Sequence, residues 1–306
     1  MDGIETLRQL RRIDAGVAVV MFSSLTERGA RATFDALDAG ASDYVTKPSS
    51  IAGESLDGVV RDHLRPKLLA VARVRRARGT VELTRSPRSL SPPLAKRLPP
   101  AVVPPAVVVI ASSTGGPNAL AQVLPHFAAS LPVPILIVQH MPPVFTRCLA
   151  ERLAASCPLR VVESQGGETV APGTIFIAPG GKHLEVVRDG AGYRTVISDG
   201  PPESSCKPAA DVLFRSATKA YGAAVLAVVL TGMGQDGLAG SELIVRGGGS
   251  VIAQDRASCV VWGMPKAIEE AGIASAVVPL SDVAATVTDR VVSRATQRLA
   301  LREGAR

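Results

Sequence analysis

Three short stretches place polar residues suited to acyl transfer directly after apolar runs. Ser112, Ser113 and Thr114, followed by Gly115-Gly116-Pro117, come after Val107–Ala111. His140 closes the run Ile135–Gln139, and Asp236 stands in Thr231-Gly232-Met233-Gly234-Gln235-Asp236-Gly237 after Val225–Leu230. A hydroxyl, an imidazole and a carboxylate are the parts of a nucleophilic triad. Backbone amides at a Gly-rich helix start serve equally as a phosphate cradle or an oxyanion hole, so that turn alone leaves both chemistries open. Each residue also has an ordinary use: Ser113 as a turn hydroxyl, His140 as a packed strand-end imidazole, Asp236 as an Asp-Gly turn or helix cap. Their shared position after apolar runs argues for the triad. His183, in Pro179-Gly180-Gly181-Lys182-His183, is a competing base that ranks second because it opens a hairpin strand.

A parallel sheet would bring these residues together, because all its strands end on one side, where open α/β sheets bind ligands. The β-branched runs suit strands buried on both faces. Strands are expected at 106–111, 134–139, 160–163, 174–178, 224–230, 250–253 and 275–279. Helices are expected at 117–124, 144–155, 208–221, 238–246, 265–271 and 282–298, with Gly116 as the first N-cap and Pro117 opening its helix. Residues 184–187 and 193–197, joined through Asp189-Gly190, read as a hairpin. The fold class is α/β, a doubly wound parallel-sheet domain over 106–298.

A chain of 306 residues suggests two domains. Residues 1–78 alternate helix, strand, helix, strand and a long helix from 54 to about 78, kinked or broken near Pro66. The first helix, 2–13, sets Ile4, Leu7 and Leu10 on one face, and the strands are expected at 17–22 and 42–46 with a helix over 26–38 between them. Residues 79–105 hold seven prolines among Ser and Arg and read as a linker. The net charge is +7, yet residues 61–97 alone carry eleven basic residues against Asp62 and Glu82, a surplus of nine. The basicity therefore belongs to a tether without interleaved aromatics, and no nucleic-acid partner is expected. No apolar run is long enough to span a membrane and no signal peptide opens the chain, so a cytoplasmic protein without membrane insertion is expected. Cys148, Cys157, Cys206 and Cys259 lack metal-site or disulfide spacing, and no metal or cofactor is expected.

The first segment resembles the second half of a response-regulator receiver domain of two-component signalling. Met1-Asp2-Gly3 matches the motif after the phosphoacceptor loop, Ser23 the switch hydroxyl, Tyr44 the switch aromatic, and Lys47-Pro48 the phosphate-binding lysine and its proline. The preceding strands and phosphoacceptor of such a domain would lie before Met1. The segment is thus expected to be a truncated receiver-like α/β fragment, or Met1 a misassigned start. A histidine kinase would be a partner only of a complete receiver.

The second domain resembles the chemotaxis-type protein-glutamate methylesterases. The matching stretches are Ser112 to Pro117, Val138 to Pro142, Ile177 to Gly180 with His183, Lys207-Pro208 through Phe214, Leu230 to Gly237, Ile252 to Asp255 and Trp262 to Pro265. Ser112 stands where alanine is usual, and Gln235 where an acidic or amide residue is common. The resemblance implies hydrolysis of γ-glutamyl methyl esters on chemoreceptors, with glutamine deamidation as a related activity. It implies that Ser113 attacks, His140 moves the proton, Asp236 holds the imidazole, and Thr114 and Met233 border the oxyanion site. The order Ser, His, Asp and the lack of a G-x-S-x-G elbow set the chain apart from α/β-hydrolases. A phosphate-binding module, lacking G-x-G-x-x-G and a Walker lysine, and a non-catalytic signalling adaptor are the rival readings. On the esterase reading, a protein beginning near Ala101 keeps ester hydrolysis, at a rate raised less than about threefold, and acetyl phosphate leaves the rate of the full chain unchanged. Assay of methanol release checks both, and a gain of about tenfold on deletion would reveal a folded inhibitory element.

Overall fold

The computed structural model describes residues 3–48, 55–72 and 103–292. Met1 and Asp2, residues 79–102 of the expected linker, the expected long helix before 55 and beyond 72, and the expected helix end at 293–298 lie outside the described residues. The chain forms two compact units, 1–94 and 95–306.

The first unit runs α1 (Gly3–Ile13), β1 (Val20–Ser23), α2 (Glu27–Asp38), β2 (Asp43–Thr46) and α3 (Leu56–Val59). A π-helical turn, Val60–Leu64, continues α3 into helix over 65–72. Pro66 explains the irregularity: it has no N–H to give and its ring crowds the carbonyl four residues back, so the turn before it widens. Strand β1 starts three residues later than expected, because the Val17 carbonyl accepts Arg11 Nη1 at 2.6 Å instead of a strand partner. Thr26 lies outside α2 as its cap, its hydroxyl accepting the Gly29 N–H at 3.0 Å. In α1 only Leu7 of the apolar face is buried, and Leu10 is exposed.

In the second unit a seven-stranded, all-parallel sheet is built from β3 (Val107–Ser112), β4 (Ile135–Gln139), β5 (Arg160–Glu163), β6 (Thr174–Ile177), β9 (Val225–Val229), β10 (Ser250–Gln254) and β11 (Ala276–Val278). The order is β11-β10-β9-β3-β4-β6-β5. The expected doubly wound α/β fold is therefore what the structure shows, with strand ends shifted by a residue or two. From β3 the chain builds outward through β4 to one edge, then returns to build outward through β9 to the other. That reversal puts the topological switch point beside β3. Helices α4 (Gly116–Val123), α5 (Phe145–Ala154), α6 (Ala210–Tyr221), α7 (Leu238–Arg246) and α8 (Met264–Glu270) intervene, and a helix over 283–292 closes the unit. The antiparallel hairpin β7 (His183–Asp189) and β8 (Gly192–Ser198) precedes α6.

Every residue of β3, β4 and β9 is buried. Val107, Val109 and Ala111 join Leu136, Val138, Leu213 and Phe214 in one apolar cluster, so α6 covers this face. Such a core fixes three strand ends within a narrow region. The cap of α4 differs from expectation: Gly115, not Gly116, is the N-cap, in the left-handed region at φ 78° that glycine adopts without cost. Beyond β6, Gly180 runs so close to the main chain after His140 that a Cβ there would stand 2.3 Å from the Pro142 carbonyl carbon and the Pro143 nitrogen. Its N–H donates to Thr146 Oγ1 at 2.9 Å. Both neighbours are backbone and neither yields readily. Gly180→Ala is therefore expected to cost about 1–3 kcal/mol, read as a lower urea midpoint; an unchanged midpoint would contradict this packing.

Candidate active site

Ser113, His140 and Asp236 follow three adjacent strands, β3, β4 and β9. Strands β3 and β4 pair with Ser112 opposite Gln139, so Ser113 and His140 each stand one residue past a paired position. The His140 N–H donates to the Ser112 carbonyl at 3.1 Å and the Ser113 N–H to the Thr231 carbonyl at 3.0 Å. Gln139 locks the turn: its buried Nε2 donates to the carbonyls of Ser113 (3.0 Å) and His140 (3.2 Å), while Oε1 accepts the Ser112 hydroxyl at 2.7 Å. Ser112, the departure from the usual alanine, thus satisfies a buried acceptor. On the other flank Thr231 Oγ1 donates to the Thr114 carbonyl at 2.9 Å and accepts the Val261 N–H at 2.9 Å.

His140 and Asp236 meet, with Nε2 to Oδ2 at 2.7 Å. Asp236 stands one residue before Gly237, the N-cap of α7, which is left-handed at φ 91°. Its carboxylate reaches across to a different helix: Oδ2 accepts the Ala210 N–H at 2.6 Å and Oδ1 the Asp211 N–H at 3.0 Å, at the start of α6. A carboxylate is favoured there by unpaired amides and by the helix dipole. Burial by itself would raise the Asp236 pKa, but the His140 hydrogen bond and charge, with the two amides, outweigh it and hold the group below the ordinary carboxylate range. For His140 burial pulls the pKa down, while hydrogen bonds to Asp236 and Cys206 and the charges of both push it up, from 6.5 to about 9. With Nε2 given to Asp236, Nδ1 is the ring nitrogen left for chemistry, and Cys206 Sγ lies 3.5 Å from it. Asp211 is a second buried carboxylate behind the first; burial, followed by the Asp236 charge against the Gly240 amide, raises it to about 6.

His183, the rival base, is buried with both nitrogens engaged: Nδ1 accepts the Ala209 N–H at 3.2 Å, so Nε2 carries the proton and donates to the Pro201 carbonyl at 3.0 Å. It has no lone pair to offer. Thr114 is buried and Met233 half-buried at the strand ends, and neither Thr114 nor Gly115 donates its N–H to a described residue. The receiver-like residues lie in the first unit, with Ser23 opposite Thr46 in the β1–β2 register. Ser23 Oγ donates to the Gly29 carbonyl at 2.9 Å, Tyr44 is buried, and Lys47 is exposed with Nζ 5.9 Å from the Phe22 ring centre. Cys206, Asp211 and Gln139 carried no spacing signal that marked them as site neighbours. Only the sheet order and the start of α6 bring them in.

A family model described as CheB methylesterase matches residues 108–287. The chain belongs to the CheB methylesterase family. It is similar to a protein-glutamate methylesterase/protein-glutamine glutaminase of Nocardioides, 48% identical over 299 residues that cover 95% of this chain and 80% of that protein. A protein of the same description from Trichodesmium erythraeum is 44% identical, covering 95% and 82%. Among solved structures, the Thermotoga maritima CheB methylesterase catalytic domain is 40% identical with a TM-score of 0.60, covering 61% of this chain and 99% of that one. Membership of this family fits the parallel sheet and the polar strand ends described above.

The His140 shift has a definite sign. Because the folded value exceeds the unfolded one, the stability gained from the protonated imidazole is full below about pH 6.5 and is lost as pH rises through about 9. An NMR titration of the His140 imidazole should give a midpoint near 9, falling in Asp236→Asn. A midpoint at or below 6.5 would contradict the described environment.

Proposed function

We propose that this chain hydrolyses γ-glutamyl methyl esters on methylated chemoreceptors in the cytoplasm, with Ser113, His140 and Asp236 as its catalytic residues and residues 106–298 as its catalytic domain. The observation that carries the reading is the pairing of His140 with the buried Asp236, anchored on the α6 amides and set beside the Ser113 turn. The family relatives named above supply the substrate class. No helix among the described residues is long and apolar enough to cross a membrane.

In the first half-reaction Ser113 Oγ bonds to the ester carbonyl carbon while His140 Nδ1 takes its proton. Asp236 keeps Nε2 protonated and balances the imidazolium, so Nδ1 enters as the acceptor. On this reading the Thr114 and Gly115 amides, at the start of α4, receive the developing oxyanion, with Met233 at its border. Collapse of the tetrahedral adduct breaks the carbon–methoxy bond, and the leaving oxygen takes the proton from Nδ1 as methanol. Water then attacks the glutamyl-serine ester by the same steps and frees the γ-carboxylate. Glutamine deamidation follows the same course with ammonia as leaving group. A phosphate cradle would have no use for a buried carboxylate at this place, since Asp236 would repel the ligand. We assign Ser23, Tyr44 and Lys47 to a receiver-like element in 1–78, and a histidine kinase as partner of a complete receiver.

Ser113→Ala and His140→Ala should each lower methanol release from methylated receptor by roughly 10⁴- to 10⁶-fold, and Asp236→Asn somewhat less. Combining two of them should add little, because the three act as a unit. Activity of Ser113→Ala within about tenfold of wild type would overturn the assignment.

A further inference from the structure

Cys206 takes no part in the esterase steps, yet its thiol sits beside the one ring nitrogen of His140 that those steps use. The Sγ to Nδ1 separation is 3.5 Å. Two ligands of one tetrahedral zinc ion, at about 2.3 Å for sulfur and about 2.0 Å for nitrogen, stand about 3.5 Å apart, so the pair already has the bite of a metal chelate. Among the described residues His140, Cys206 and Asp236 bring one ligand atom each within 4.8 Å of one another. Asp236 is not free to be a third ligand, since its oxygens already accept His140 Nε2 and two helix amides. It occupies the outer position in which a carboxylate orients a metal-binding imidazole and raises its basicity.

The sulfur is also held in place. Residues Glu203–Cys206 form a tight turn closed by hydrogen bonds of 3.1 and 2.8 Å, with Ser204 and Ser205 both left-handed, at φ 50° and 61°. Glu203 is gripped by Arg215 of α6 at 2.6 and 2.8 Å. The helix whose amides receive Asp236 thus also pairs with the turn that carries Cys206, while His140 is set by the end of β4. His140 and Cys206 are only partly buried, which leaves the pair open to a cation from solution.

We propose that His140 Nδ1 and Cys206 Sγ bind a soft divalent cation, zinc foremost, as a reversible inhibitory site of the esterase. Thiolate and imidazole select zinc over magnesium or calcium. Binding forms Zn–S and Zn–N bonds, the thiol proton and, below about pH 9, the proton on His140 Nδ1 pass to solvent, and water completes the coordination. The metal takes the lone pair that would accept the Ser113 proton, so hydrolysis stops until the metal leaves. The inhibition, though not the binding, rests on the triad reading above.

The test adds cobalt(II), then zinc, to the full chain and follows both the thiolate-to-cobalt charge-transfer band and methanol release. The expected result is one cobalt per chain with a thiolate band, displacement by zinc, and loss of the band in Cys206→Ala and in His140→Gln. Zinc should slow the wild type by more than about tenfold, reversed by a chelator, and Cys206→Ala by less than about twofold relative to its own metal-free rate. A wild type without the band, a band retained in Cys206→Ala, or equal zinc inhibition of both proteins would overturn the proposal. A metal-free wild type inactive on methylated receptor but showing the band would count against the esterase reading alone, leaving the metal site standing.

Discussion

The Asp236 carboxylate is the group on which the site depends. It is buried, and a buried charge is tolerated only when its oxygens are satisfied and its charge is balanced. Three donors on two elements do this: the imidazole after β4 and the first two amides of α6. One side chain thus caps a helix, fixes the tautomer of His140 and ties the end of β9 to its neighbours. Because α6 also packs into the apolar cluster under the sheet, the geometry of the polar cluster is inherited from the core. Removing Asp236 would strand two amides and a protonated imidazole together, and its effects on stability and on proton transfer are therefore inseparable.

Much of this arrangement was legible in the sequence, for a physical reason. Strands buried on both faces read as unbroken β-branched runs, so Val107–Ile110, Ile135–Val138 and Val225–Val229 announce themselves, and the polar residue after each is conspicuous. Strand order was not legible. That β6 lies between β4 and β5, or that β9 adjoins β3, depends on tertiary packing with no trace in local pattern. The same holds for Cys206 and Asp211, which look like loop and helix residues until α6 is placed. The position of His183 at a hairpin start ranks it behind His140 in the sequence, and the two hydrogen bonds that occupy both its nitrogens come from residues 18 and 26 positions away. The cap at Gly115 was misplaced by one residue because both glycines suit a helix start, and only the left-handed φ tells them apart.

The first unit shows how the same reasoning behaves with a thinner core. Its two strands are short, and Lys67 pairs with the buried Asp43 at 2.8 Å while donating to the Tyr44 carbonyl at 2.8 Å. Burial, and after it the Asp43 charge, raises the Tyr44 pKa well above its ordinary value, so the phenol stays neutral. Local turn chemistry moved the ends of β1 and α2 from where periodicity alone sets them, because Arg11 and Thr26 claim backbone groups that a strand or helix would otherwise use.

The central claim is that a hydroxyl at Ser113 is activated by an imidazole whose proton affinity Asp236 sets. The most direct measurement is the rate at which a fluorophosphonate labels the full chain as a function of pH, with the modified residue located by mass spectrometry. The account predicts a single label on Ser113, absent in Ser113→Ala, with a rate that climbs as pH approaches about 9 and a midpoint that moves down in Asp236→Asn. Labelling at another serine, or a Ser113 rate indifferent to pH between about 6 and about 9, would contradict it.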